Sequence, residues 1–310
     1  MSLLRHRLQL KLQLLPGPHS TLGYLPKTAA VSTTAFQEVG NLFDFEKICV
    51  LGHGNHGIVY KVRHKHTSAI YALKIITTDS QTSHETKILG RTDSPFIIKC
   101  HGIFEPPAWA GSKAILMDYM DAGTLGSLLK TNGPFSKSSI AHIAYQVLNG
   151  LQYLHAGNIV HLDIKPSNLL VDKRLNVKIA DFGVSQIVHA HETPKSFCSY
   201  VGTYAYMSPE RLDSSRYDPK YVYAGDVWSL GVTLLELCVG HFPFFPPEKK
   251  PSWMEVALVT CFGEPTSNIP ETATGEFLSF IKCCLEKEPG KRWTVLKLLS
   301  HPFVCGVRDS

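Results

Sequence analysis

The chain has 310 residues, 44% hydrophobic and 18% charged, which is long and apolar enough for a large domain or a pair of lobes and far from a disordered composition. Its formal charge of +5 gathers into no dense Lys/Arg block, so neither nucleic acid nor a membrane surface is an expected partner. The eight cysteines form no C-x-x-C pair, and no apolar run approaches the roughly 18 residues of a membrane span.

Residues 1–40 hold scattered Pro, Gly, Ser and Thr without sustained periodicity and read as a tail. Charges and amides interrupt the leucines of residues 1–15, so no secretory signal is expected there, and the cytoplasm, with the nucleus as a second site, is the expected compartment. From Phe45 onward the pattern is strand-like. Ile58-Val59-Tyr60-Lys61-Val62, Ile70 to Ile76 and Lys113 to Met117 are short β-branched or apolar runs, with one helix expected over about 82–91. After Asp121-Ala122-Gly123 the period changes: Ile140, Ile143, Ala144, Val147, Leu148, Leu151 and Leu154 recur at helical steps behind Ser136, a fitting N-cap. Further helices are expected at about 225–240, 274–286 and 293–300. The class is α+β, a small strand-rich lobe followed by a larger helical lobe.

Gly52-His53-Gly54-Asn55-His56-Gly57-Ile58-Val59 puts three glycines in six residues between strands. Glycine permits a tight turn and close approach of backbone N–H groups to phosphates, although a plain hairpin accounts for the run equally well. A dinucleotide fold would need a helix opening at Gly57, where the sequence is β-branched instead. Lys74 follows within an apolar strand and needs a counter-charge, for which Glu85 on the next helix is the candidate. The strongest signal is His161-Leu162-Asp163-Ile164-Lys165-Pro166-Ser167-Asn168 followed by Asp181-Phe182-Gly183. Asp163 suits the proton of an attacking hydroxyl, Lys165 the charge on a transferring phosphoryl group, and Asn168 with Asp181 offers hard oxygen ligands for Mg²⁺.

On these motifs, residues 45–304 resemble a eukaryotic protein-kinase domain, with small lobe 45–117, hinge 118–121, large lobe 122–304 and a C-terminal tail, 305–310. Ser208-Pro209-Glu210, Asp226-Val227-Trp228-Ser229-Leu230-Gly231, Lys291-Arg292-Trp293 and His301-Pro302-Phe303 fit the same pattern. The resemblance implies a bilobal fold, a small antiparallel β-sheet lobe plus a larger helical lobe with the active site between them, and ATP and Mg²⁺ as cofactors. It also implies an ATP site formed by Leu51, Gly52, Gly54, Gly57, Val59, Ala72, Lys74, Met117, Asp118 and Met120. It makes Met117 the gatekeeper and the backbone of Asp118 and Met120 the hinge. It further implies a structural ion pair between Glu210 and Arg292, and Asp226 as the brace of the catalytic-loop backbone.

The segment Gly202 to Arg211, with serine at 208, resembles the mitogen-activated protein (MAP) kinase kinases, particularly short plant members. That resemblance implies a dual-specificity enzyme acting on the Thr and Tyr of a downstream MAP kinase's activation loop, under an upstream MAP kinase kinase kinase. Thr193 and Ser199, with five residues between them, resemble the plant activation signature. Arg5 and Arg7, followed by alternating Leu8, Leu10, Leu12 and Leu14, resemble a MAP kinase docking segment.

One position departs from the pattern: Leu162 stands where the family's arginine beside the catalytic aspartate is expected. Three readings stay open at this level. They are an active dual-specificity kinase, a weakly active or inactive scaffold that docks MAP kinases, and a serine/threonine kinase with another substrate.

Overall fold

The computed structural model describes residues 41–54, 57–77, 80–105, 111–188, 202–213, 215, 218–264 and 275–307. The expected tail, with its docking positions Arg5, Arg7, Leu8, Leu10, Leu12 and Leu14, lies outside them, as do Thr193 and Ser199. The chain divides into two compact units, one drawn from Met1–Thr78 and His101–Tyr119, the other from Asp79–Cys100 and Met120–Ser310.

The first unit is built on β1 (Phe45–Gly54), β2 (Gly57–His64) and β3 (Ile70–Thr77). After helix α1 (Ser80–Leu89) come β4 (Cys100–Phe104) and β5 (Ser112–Asp118), which complete a sheet in the order β1-β2-β3-β5-β4. Alternation sorts its side chains, since successive residues of a strand face opposite ways. One face carries the core cluster of Phe45, Tyr60, Val62, Leu73, Ile75, Ala114 and Leu116. Register puts Val59, Lys74 and Ile115 side by side on the other face, with Ala72 opposite Met117 one row along.

In the second unit β6 (Gly123–Thr124) leads into α2 (Leu125–Asn132) and α3 (Lys137–Ala156). The expected N-cap of α3 is present, with the Ser136 hydroxyl accepting from the Ser139 amide, and all seven apolar residues predicted for its inner face are buried. Then follow β7 (Ile159–Val160), β8 (Leu169–Val171), β9 (Val177–Ile179) and β10 (Gln186–Ile187), and the short helix α4 (Pro209–Leu212). The remaining helices are α5 (Ala224–Val239), α6 (Trp253–Phe262), α7 (Glu276–Cys284), α8 (Val295–Leu299) and α9 (Pro302–Cys305). Helix α5 is buried on every side over most of its length, and Gly240 ends it in a left-handed conformation, φ 90°.

Residues 79–100 group with the second unit, although in sequence they lie between strands of the first. Local bonds explain this. Ile98 N–H donates to the Ile179 carbonyl and Ile179 N–H to that of Phe96, each at 2.9 Å, and Asp93 N–H reaches the Tyr153 hydroxyl at 2.8 Å. Helices α2, α4, α6 and α9 were not expected from the sequence. Among the described residues no helix is long and apolar enough to cross a membrane.

Candidate active site

The catalytic-loop candidates form one connected hydrogen-bond system within the second unit. Proline at the start of the 3-10 turn Pro166–Asn168 pre-sets the backbone that carries Asn168. The Asn168 amide nitrogen donates to the Asp163 carbonyl at 2.8 Å and to Asp163 Oδ2 at 2.9 Å. Lys165 Nζ donates to the same Oδ2 at 2.7 Å, while Oδ1 accepts from the Thr203 amide at 2.9 Å. Thr203 Oγ1 also meets Lys165 Nζ. Both oxygens of a buried Asp163 are therefore held in place.

Beneath the loop lies Asp226, fully buried at the start of α5. It accepts from the amides of His161 at 2.9 Å and Leu162 at 2.8 Å, and from His155 Nε2 at 2.9 Å. Burial raises the Asp226 carboxyl pKa, but His155 and the loop donors outweigh it and hold the group below its ordinary value. His161 Nδ1 accepts from the Asp163 amide, so its Nε2 carries the hydrogen offered to the Ala180 carbonyl at 3.1 Å. The fully buried Phe182 ring stands edge-on to His161 at 5.2 Å. Leu162 adopts φ +67° and Asp181 φ +65°.

Strands β8 and β9 form a hairpin whose turn is tied by Asp172 Oδ1, accepting from the amides of Arg174 and Asn176 at 2.9 Å each. Its open end brings Asn168 beside Ala180, whose amide donates to the Asn168 carbonyl at 2.9 Å, so Asp181 emerges next to Asn168. The Asn168 amide nitrogen donates to Asp163 twice, which fixes the orientation of the amide. An amide oxygen and an exposed carboxylate are hard donors, too few for an all-protein cage but suited to a Mg²⁺ ion that takes other ligands from phosphates and water. Among the described residues no group of three or more His, Cys, Asp or Glu is placed to hold a metal.

In the first unit, a Cβ on Gly57 would meet the Ile75 carbonyl oxygen at 2.0 Å, so glycine is required there by the fold itself. Gly52 differs: a Cβ there would meet nothing within 4 Å among the described residues. The fold leaves that position open, as a close-approaching ligand would require. Val59, Ala72, Lys74 and Met117 share the sheet face opposite the core. Asp118 is held by His101 Nε2 at 2.7 Å, and the His101 ring lies 5.1 Å from that of Tyr71. Lys74 on β3 and Glu85 on α1 are both buried and belong to different units. Leu51 is exposed on β1, and Met120 is buried in the second unit.

The Protein kinase domain profile matches residues 45–304. Mitogen-activated protein kinase kinase 9 of Arabidopsis thaliana is 50% identical over 313 residues, covering 98% of this chain and 99% of that protein. Kinase kinase 7 of the same plant is 49% identical with the same coverage, and kinase kinase 10 is 39% identical over 97% of each chain. The chain belongs to the protein kinases, among the MAP kinase kinases. It is thus an ATP-dependent protein kinase.

The kinase's large-lobe ion pair is bidentate. Arg292 Nη1 and Nη2 donate to the two Glu210 oxygens at 2.7 and 3.0 Å, while Nη1 and Nε also cap the carbonyls of Ala224 and Glu286. Sequence reasoning missed Thr203, Arg211, His155 and His101. Thr203 had a signal in Gly202, since a Cβ there, at φ +101°, would come within 2.7 Å of the Leu162 carbonyl oxygen. The contacts of the other three span 49 to 71 residues in two cases and 17 in the third, and no local pattern marks them.

Proposed function

We propose that this kinase transfers the γ-phosphate of ATP to both the threonine and the tyrosine of a downstream MAP kinase's activation loop, and that a MAP kinase kinase kinase acts on it in turn. The observation that carries the chemistry is the Asp163 carboxylate, fixed by Lys165, Asn168 and Thr203. In this reading the substrate hydroxyl donates to Asp163, which orients it. Asp163 then takes its proton as the new O–P bond forms and the bond to the β–γ bridging oxygen breaks, leaving ADP. Lys165, beside Asp163, supplies positive charge where the phosphoryl group passes. Asn168 and Asp181 would hold Mg²⁺, which when bound offsets charge on the phosphate oxygens.

Lys74 would contact the α- and β-phosphates, with Glu85 as its counter-charge. The amides of Gly52, Gly54 and Gly57 would face the phosphates. Leu51, Val59, Ala72 and Met117 would enclose the adenine, and the backbone of Asp118 and Met120 would bond its edge. In this reading Thr193 and Ser199 are the activating phosphosites, and Arg5 and Arg7 with Leu8, Leu10, Leu12 and Leu14 dock the MAP kinase.

The test is incubation with Mg-ATP and a catalytically inactive MAP kinase, followed by phosphosite mapping. Phosphate on both Thr and Tyr, lost in Asp163→Asn, is the expected result. Transfer only to other proteins favours the serine/threonine kinase reading. ATP binding without transfer favours the scaffold.

A further inference from the structure

Leu162 is the one catalytic-loop residue that departs from the family pattern, and its surroundings assign it work. Its left-handed backbone, φ +67°, is unfavourable for a leucine and persists only where neighbours impose it. Here they do so from several sides. The Leu162 amide donates to Asp226 Oδ1 at 2.8 Å, and its carbonyl accepts from Arg211 Nη1 at 2.9 Å. Gly202 backs onto the same carbonyl, where a Cβ would approach to 2.7 Å. Arg211 is itself buried, with its stem against Gly225.

The side chain completes the set. Leu162 is 4% exposed in a cluster with Val160 and Val222, against which Val184, Val188 and Tyr223 pack. Val184 and Val188 lie on the stretch that leaves Asp181-Phe182-Gly183. Within that stretch β10 pairs antiparallel with β7, and the Val188 amide donates to the Asn158 carbonyl at 2.7 Å. One side chain thus joins the strand entering the catalytic loop to the segment leaving Asp181.

We propose that Leu162 is a positioning residue for phosphoryl transfer, an apolar pin that sets Asp163 through its peptide groups and the path of residues 184–188 through its side chain. The proposal rests on the kinase reading of this site. Its consequence runs against the family pattern: Leu162→Arg damages the kinase rather than restoring a missing cation. The guanidinium would enter the surface formed by Val160, Val184, Val188, Val222 and Tyr223, and burying a charge against apolar side chains is strongly disfavoured.

The experiment compares full-length wild type with Leu162→Arg, Leu162→Ala and Leu162→Met. It reads kcat and KM for ATP and for inactive MAP kinase, the unfolding midpoint, and hydrogen exchange at the amides of Gln186 to Val188. Leu162→Arg and Leu162→Ala are expected to lose kcat by about 30-fold or more with KM for ATP within about threefold, because the loss falls on transition-state positioning. Exchange at 186–188 is expected to quicken in both. Leu162→Met, near in volume, is expected to keep wild-type exchange and most of kcat. Wild-type kcat in Leu162→Arg would overturn the proposal, as would unchanged exchange at 186–188 in the folded Arg and Ala variants. If Leu162→Ala or Leu162→Arg does not fold, Leu162→Met against Leu162→Val decides by the same exchange and kcat readouts. If wild type transfers no phosphate, the kinase reading fails separately, and exchange alone decides whether the pin exists.

Discussion

Replacing Asp226 with asparagine should cost both stability and turnover, and the size of the loss follows from three hydrogen bonds. The carboxylate accepts from His161 N–H and His155 Nε2 on one oxygen and from Leu162 N–H on the other. Asparagine has the same shape but only one acceptor oxygen. Turned to keep His161 and His155, it sets its NH₂ against the Leu162 amide, donor facing donor. One hydrogen bond to a charged group is lost, about 1.5–3 kcal/mol, and a buried N–H is left unmet at about 1–3 kcal/mol more. Removing a buried charge returns part of this, so a net loss of about 3 kcal/mol is expected, a large share of the roughly 5–15 kcal/mol that holds a domain folded.

Urea denaturation should show a lower midpoint with an unchanged slope, and kcat should fall about 10- to 100-fold as Leu162 and Asp163 lose their fixed backbone. The pH dependence carries a sign. The folded Asp226 carboxyl sits below its ordinary value, so its contribution is full above the unfolded value near pH 4 and is lost as pH falls through the folded one. The gap between wild type and Asp226→Asn should therefore be flat from neutral pH to about pH 5 and close only in stronger acid. An asparagine variant with wild-type midpoint and kcat would refute the brace.

Glu210→Ala strands the Arg292 guanidinium in the interior and should cost about 3–5 kcal/mol in the same denaturation assay, with ATP affinity of the folded fraction unchanged. Thr203→Val removes the hydroxyl at Lys165 but keeps the amide bond to Asp163, so kcat should drop about 3- to 10-fold at constant KM for ATP. Burial pushes the Glu236 carboxyl above its usual range, although Tyr206, its hydrogen-bond donor, opposes that shift. A raised carboxyl supports folding below its unfolded value and loses that support as pH rises through the folded one. Glu236→Gln, which can still accept from Tyr206, should therefore stabilise the kinase at neutral pH relative to wild type, with the advantage vanishing near pH 4.

Periodicity made the second unit's long helix legible, because a buried stripe at three- and four-residue steps has one physical explanation. The same reasoning passed over α6. That helix is apolar on most sides, with Val256 and Cys261 buried while Met254, Leu258 and Phe262 are exposed, so no stripe stands out. The capping box was the readable signal: Ser252 and Glu255 exchange side-chain and backbone bonds at its start. The grouping of residues 79–100 was hidden for another reason. It depends on backbone bonds from Phe96 and Ile98 to Ile179, more than 80 residues away, which no local pattern encodes.

The catalytic residues were legible because their chemistry is in their own side chains, but what holds them is not. Asp163 could be named from the loop motif, yet it is the amide of Thr203, whose side chain plays no part in that bond, that fixes one of its oxygens. Leu162 shows the same division most sharply. Its identity announces a missing charge, and read alone it leaves an active kinase and a weakened scaffold both open. Its neighbours show what the residue touches instead: Val160, Val184, Val188, Val222 and Tyr223 lie against it with apolar surface, while Arg211 reaches its carbonyl from 49 residues away. The backbone at φ +67° is held by these contacts together with Asp226. Leu162 is thus held by its peptide groups through Asp226 and Arg211, and by its side chain through apolar contact.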